Sequence, residues 1–186
     1  MTTATPRPVR LAPLPPDART PEQDALLLKA TKTPREVNIY STFVRNPHVY
    51  ERWLGLAHGL LFDGALPDRV RELLILRTAI RCGCEYEWAQ HRKIAARAGV
   101  EEREIAAVAE FAEAEWPPAE AVVLRAADEL HDTATVSDGT WDELTAHYPA
   151  ETVMEIVAVA GTYRLTAMML NAFGVALDPG LVGFPR

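Results

Sequence analysis

Between Arg81 and His91 the chain reads RCGCEYEWAQH, which places its two cysteines, Cys82 and Cys84, within a few residues of Glu87, Trp88 and His91. Residues of these types at this spacing serve a thiol redox centre, a metal site or an acid/base pair; an amphipathic helix with an unusual start needs no chemistry at all. At 3.6 residues per turn, offsets of 3, 4 and 7 bring Cys84, Glu87, Trp88 and His91 to one helix face. A helix beginning just after Gly83 leaves Cys84 at its N-terminus, where free amides and the macrodipole favour a thiolate. In the plainest reading Glu87 and His91, four residues apart, are a surface pair worth only ~0.2–0.5 kcal/mol.

The elements that have to position this face are helical. After six prolines between Pro6 and Pro21, the period is that of helices rich in Ala, Leu, Glu and Arg, with no strand pattern. Residues 1–21 are expected to form a proline-rich arm and 22–186 a single domain. The pattern predicts helices over about 22–31, 35–45, 48–62, 68–81, 84–97, 102–114, 119–132 and 150–173. Turns fall at Thr33-Pro34, Asn46-Pro47 and Asp63-Gly64, and Thr140 with Glu143 has the spacing of a capping box for a short helix. Asp68 to Thr78 and Glu151 to Gly161 are loosely alike, each with an early glutamate, Glu72 or Glu155, in an apolar helix; two similar halves would follow. Glu72 sits in the most apolar helix of the chain, where an unpaired carboxylate is expensive, so it is expected to face a polar pocket or a histidine unless it only complements the helix dipole.

At 186 residues, a net charge of -7 and a pI near 5.3, the chain is large enough to bury a core without staples and poorly suited to phosphate backbones. Nucleic acid and membrane are not expected partners, because the charge is wrong for one and no apolar run approaches the ~18 residues needed for the other. The expected address is cytoplasmic, where a cysteine pair this close is more often catalytic or metal-binding than structural. A metal is not expected either. Cys-x-Cys across a helix start is unlike the usual zinc knuckle, and Glu87 with His91 is not the Glu-x-x-His of di-iron bundles. No P-loop, dinucleotide fingerprint, HExxH or GxSxG occurs.

Taken together, Glu72, Cys84, position 87 and His91 resemble the core pattern of the carboxymuconolactone decarboxylase and alkylhydroperoxidase-D family, in which a glutamate precedes a Cys-x-x-Cys and a histidine follows. Leu66-Pro67, Tyr86 and the segment from Ala95 to Val100 leading to Glu104-Ile105 are similar too, so the likeness runs from Leu66 to Val108. It implies an all-α bundle, homo-oligomers that are commonly trimers or hexamers, and no cofactor. The family's peroxidase branch runs a thiol cycle between two cysteines, with the glutamate and histidine relaying protons; its decarboxylase branch lacks the cysteine pair. This chain departs from the peroxidase pattern at Glu87, where the second cysteine would stand. Cys84 can still be oxidised to a sulfenic acid, but the resolving thiol of the motif is missing, and a ring between Cys82 and Cys84 would strain Gly83.

The leading expectation is therefore a cofactor-independent acid/base enzyme for a small organic acid or lactone, in which Glu72, Glu87 and His91 hold one proton near neutral pH. His91 would donate it, Glu87 would set the tautomer of His91, and Arg77 or Arg81 would anchor a substrate carboxylate unless each is simply salt-bridged. Trp88 is expected to wall the pocket and His58 to reach it. The alternatives are a thiol-dependent peroxidase centred on Cys84 and a non-catalytic binding protein for a small ligand.

Overall fold

The computed structural model describes residues 8–31 and 36–184, and within them every regular element is a helix. The α-helices are α1 (Pro21–Thr31), α2 (Asn38–Phe43), α3 (Pro47–Phe62), α4 (Asp68–Arg81), α5 (Glu85–Arg97), α6 (Glu102–Glu110), α7 (Pro118–Thr133), α8 (Asp138–His147) and α9 (Ala150–Phe173). The expected Thr33-Pro34 turn and the first residue of the helix expected from 35 lie outside the described residues, as do residues 1–7 of the arm.

Local chemistry accounts for most boundaries. The Asn46 side chain accepts from the Val49 amide and Pro47 occupies the first turn of α3, where its missing N–H costs nothing. Gly83 takes φ +57, so α4 stops and α5 leaves in a new direction, a turn that a side chain would resist. Glu101 and Glu104 close a capping box on α6.

Two boundaries differ from the sequence expectation for identifiable reasons. α6 ends at Glu110, not near 114, where the Arg77 guanidinium reaches in from α4 and donates to the carbonyls of Val108 and Ala109, taking the place of the amides of a further turn. α8 begins at Asp138 because Ser137 is its cap, accepting from the Thr140 amide, while the Thr140 hydroxyl donates to Glu129. The expected capping box at Thr140 is not what starts that helix.

α4 is the axis of the bundle, packed on α5, α6, α7 and α9, which is why ten consecutive residues from Val70 to Ala79 are buried. Its charged members survive burial through partners. Arg77 forms a two-pronged pair with Asp128 of α7, both contacts at 2.7 Å, and one turn on Arg81 pairs with Asp132. α9 is the other inner helix. Its 24 residues are long and apolar enough to cross a membrane by composition, contrary to the expectation that no run approaches that length, yet half of the window concerned is buried in the protein. The arm's described residues lie along the bundle: Arg10 and Leu11 donate to the Phe173 carbonyl at the end of α9, and Leu14 is buried with its amide on Ser41.

The two early glutamates do different work. Glu155 of α9 accepts from the amides of Ala65 and Leu66, tying down the turn before α4. Glu72 is fully buried and faces α5.

Candidate active site

α4 and α5 diverge from the Gly83 turn and bring Glu72 against His91. His91 Nδ1 lies 2.7 Å from Glu72 Oε2, and the other oxygen of Glu72 accepts from Arg71 Nε at 3.1 Å. Arg71 is held in turn by Asp68 at 2.7 Å. A carboxylate on Nδ1 fixes the proton there and leaves Nε2 as the basic nitrogen. The partner that sets the His91 tautomer is thus Glu72, not Glu87 as the spacing implied. Edge-on packing against Tyr163 of α9, with centroids 4.9 Å apart, further restrains the ring.

His91 borders a half-open cavity of about 330 Å³ lined by five parts of the chain. α5 contributes Tyr86, Glu87, Gln90, His91 and Ile94; α3 contributes Trp53, Ala57, His58 and Leu61; α9 contributes Tyr163, Thr166 and Leu170; the rest comes from the end of α1 and from Val37 to Tyr40. Most of this wall is aromatic or aliphatic, and Trp53 is fixed by donating to the Thr166 hydroxyl at 2.9 Å.

Glu87 is the unusual member. It is 2% exposed, and among the described residues neither carboxyl oxygen has a hydrogen-bond partner. Burial pushes its pKa well above the ordinary 4.5, so the neutral acid is favoured. The cavity therefore presents two different proton carriers: an imidazole whose Nδ1 is held by the carboxylate behind it, leaving Nε2 to accept, and a carboxylic acid that resists ionisation. Environments that separate two titratable groups in this way are how one site holds both an acid and a base.

The other predicted residues are dispersed. Cys84 is the N-cap of α5 but only 1% exposed; it packs in the cluster of Leu54, Tyr86, Ala167 and Leu170 and does not line the cavity. Trp88 points away, into a separate cluster with Leu73, Leu76 and Ile105, and meets the Phe184 ring at a tilt of 54°; one step round the helix from Glu87 is enough to carry it out of the pocket. Arg77 and Arg81 do not anchor a ligand in this cavity, because Asp128, Asp132 and the end of α6 hold them on the α6 and α7 side of α4. His58 does line the cavity. Cys82 sits apart with its sulfur 3.7 Å from His131 Nδ1, and burial raises its thiol pKa to about 11, a poor thiolate. Among the described residues no three His, Cys, Asp or Glu side chains converge as a metal site would require.

Sequence reasoning missed a polar node at the cavity rim. The Tyr86 hydroxyl donates to Asp178 at 2.6 Å and accepts from the Ile39 amide and from Gln90, while Asp178 also accepts from the Asn38 amide. Tyr86→Phe is expected to cost about 1–3 kcal/mol, since Asp178 loses one of its two 2.6 Å side-chain donors, keeping Gln90, and the half-buried Ile39 amide loses its acceptor. Chemical denaturation checks the loss, and faster hydrogen exchange at Asn38 and Ile39 locates it. An unchanged midpoint would mean that the node holds nothing.

Fold and site together define an all-helical protein with a buried carboxylate, imidazole and carboxylic acid beside a half-open cavity. The sequence profile of the carboxymuconolactone decarboxylase family matches residues 47–129, which span α3 to most of α7. The fold is shared with solved structures along nearly the whole chain. A peroxidase-related protein from Ralstonia eutropha with an alkylhydroperoxidase AhpD core superposes with a TM-score of 0.79 at 21% identity, covering 93% of this chain and 94% of that one. A debrominase gives 0.76 at 20% identity over 91% and 92%. A protein of unknown function from Agrobacterium tumefaciens, described as a putative antioxidant defence protein AhpD, gives 0.68 at 20% over 72% and 93%. No curated protein matches the chain significantly. Residues 47–129 thus carry the sequence pattern of the carboxymuconolactone decarboxylase family, and the chain shares its all-helical fold with these AhpD-like structures.

Proposed function

We propose that the protein is an enzyme that moves protons on a small, largely apolar substrate held in the Glu87–His91 cavity. The observation that carries this reading is Glu87: a buried carboxyl with no hydrogen-bond partner among the described residues, bordering the same half-open cavity as an imidazole backed by Glu72. An unpartnered acid is costly to keep and is useful where a substrate oxygen arrives to accept its proton. His91 Nε2 acts as base and Glu87 as acid, a pairing suited to proton abstraction and return beside a carbonyl. Among the described residues the cavity wall contains no lysine or arginine, so the lactone, not the organic acid, is the favoured half of the expected substrate class.

The test is exchange of substrate C–H for deuterium from solvent across a panel of small lactones, followed by NMR. The wild type should catalyse exchange with at least one of them. His91→Ala and Glu87→Gln should each slow it by about 10²–10⁴-fold, the usual contribution of one positioned acid or base. Full activity in both variants would sink the proposal.

Thiol chemistry at Cys84 is the second reading, and the comparisons back it better than they back proton transfer. Two of the similar structures are described as peroxidase-related or antioxidant proteins, and the debrominase also has a structure as a cysteine-to-alanine variant with 2,3,4-tribromopyrrole. The place of Cys84 at the start of α5 agrees with it; burial outside the cavity wall does not. Hydroperoxide reduction with dithiothreitol decides the matter. Turnover abolished by Cys84→Ser would establish the thiol route, whereas equal rates in both proteins would remove it.

A further inference from the structure

The outer face of α9 is apolar from end to end and symmetrical about its centre. Apart from Glu151, the exposed residues of this helix are Ala150, Met154, Val157, Gly161, Leu165, Met168 and Ala172. Measured from Gly161 they stand at offsets of 4, 7 and 11 in both directions, so the sequence along the stripe reads Ala, Met, Val, Gly, Leu, Met, Ala. Met154 is 75% exposed and Met168 61%, with Val157 at 39% and Leu165 at 47%. Four large side chains open to this extent on one stripe approach the ~300–600 Å² of the largest apolar patch on a typical monomer, a size that marks a contact surface.

We propose that α9 packs antiparallel against α9 of a second copy of this chain, across a two-fold axis passing close to Gly161. Such an axis exchanges position 154 with 168 and 157 with 165, so each methionine meets a methionine and each branched residue a branched one, as an isologous interface requires. Steps of four, three and four on each side of Gly161 make an 11-residue repeat of about 3.67 residues per turn, close to that of a straight helix, so the stripe stays on one face along the whole of α9. At the crossing point Gly161 has nothing within 4 Å of where a Cβ would stand, which lets the two backbones approach closely. A hollow of about 190 Å³ opens beside Val157 and Gly161 against α7 and receives side chains of the second copy. The stripe supplies roughly half of the ~800 Å² per partner in a standard interface, the share of its apolar centre, and the half-buried Glu155, Arg164 and Asn171 form the rim. A lipid surface fits less well. A helix lying in a bilayer interface is rich in Lys and Arg beside its apolar face, whereas α9 has one arginine, donating to the Leu130 carbonyl, in a chain of net charge -7.

Sedimentation of the full chain across the micromolar range tests the pairing, with circular dichroism as a check on folding. The wild type should associate, and Met154→Glu or Leu165→Glu should weaken association at least about 30-fold, as for loss of one central anchor. Met154→Glu combined with Met168→Lys should restore it, because the axis sets those positions opposite each other. Should the charged variants fail to fold, Gly161→Cys in a Cys82→Ser background should form a disulfide-linked dimer on oxidation. A monomeric wild type, unaltered association in the folded charged variants, no rescue by the double change, or no disulfide would each overturn the proposal. So would a monomer that sediments with phosphatidylcholine vesicles, which would give the stripe to a membrane.

Discussion

Glu72→Ala is expected to lower stability by about 3–5 kcal/mol, the usual penalty for breaking a buried charge pair from one side. The loss has two sources. His91 keeps a buried ring nitrogen with no acceptor 2.7 Å away, and Arg71 loses the contact that occupies its Nε, though Asp68 still holds its Nη1. In a chain of this size that is on the order of 10 °C in melting temperature, well above the scatter of ordinary surface changes. Glu72→Gln should cost less, because an amide oxygen still accepts from Nδ1, but an amide cannot balance the charge of an imidazolium formed during the reaction and so should lose turnover out of proportion to stability. Thermal melts of both variants at neutral pH, set beside the exchange assay, separate the two effects. A loss under 1 kcal/mol for Glu72→Ala would mean that the Glu72–His91 contact contributes no stability.

Glu87→Met runs the other way and should stabilise the protein by about 1–3 kcal/mol while abolishing activity. The substitution removes two buried oxygens with no partner and keeps an unbranched side chain of similar length. Its pH dependence is the more telling result. Because burial raises the Glu87 pKa well above 4.5, the folded protein holds a proton on this group that the unfolded chain releases once the pH passes 4.5. The contribution to stability is therefore fully present below pH 4.5 and is lost as pH rises toward the folded-state pKa. The advantage of the methionine variant should accordingly be smallest near pH 4.5 and grow as the pH is raised. Melting curves of both proteins over that range check it, and parallel profiles would show that Glu87 ionises as freely when folded as when unfolded.

How much of this was legible in the sequence follows from the range of the interactions. Helices α3, α4, α5 and α9 could be read from period, proline and glycine because those signals are local. Glu72 could be expected to seek a polar partner because a carboxylate amid Leu73 to Leu76 has few other ways to be tolerated. The direction of Trp88 could not be read, since Glu87 and Trp88 are neighbours on α5 and only the packing of α4 and α6 decides which of them faces the cavity. Arg77 and Arg81 carried a signal that went unused: Asp128 and Asp132 repeat their spacing of four on a later helix, as two facing ladders do. Tyr163 and Thr166 arrive from α9 and Tyr40 from α2, and nothing in the local pattern of either helix points to the cavity.

The order of synthesis gives the arm and α9 a further meaning. Arg10 reaches the carbonyl of Ala172, 162 residues later, and the faces that α4 and α3 turn inward are covered in large part by α9. Of these helices α9 is made last. Until it emerges, the central helix α4 lacks one of its main neighbours and the arm has nothing to fasten to. The bundle is thus expected to close only once α9 has emerged, more slowly than its helical content alone implies, with the nascent chain dependent on shielding while it waits.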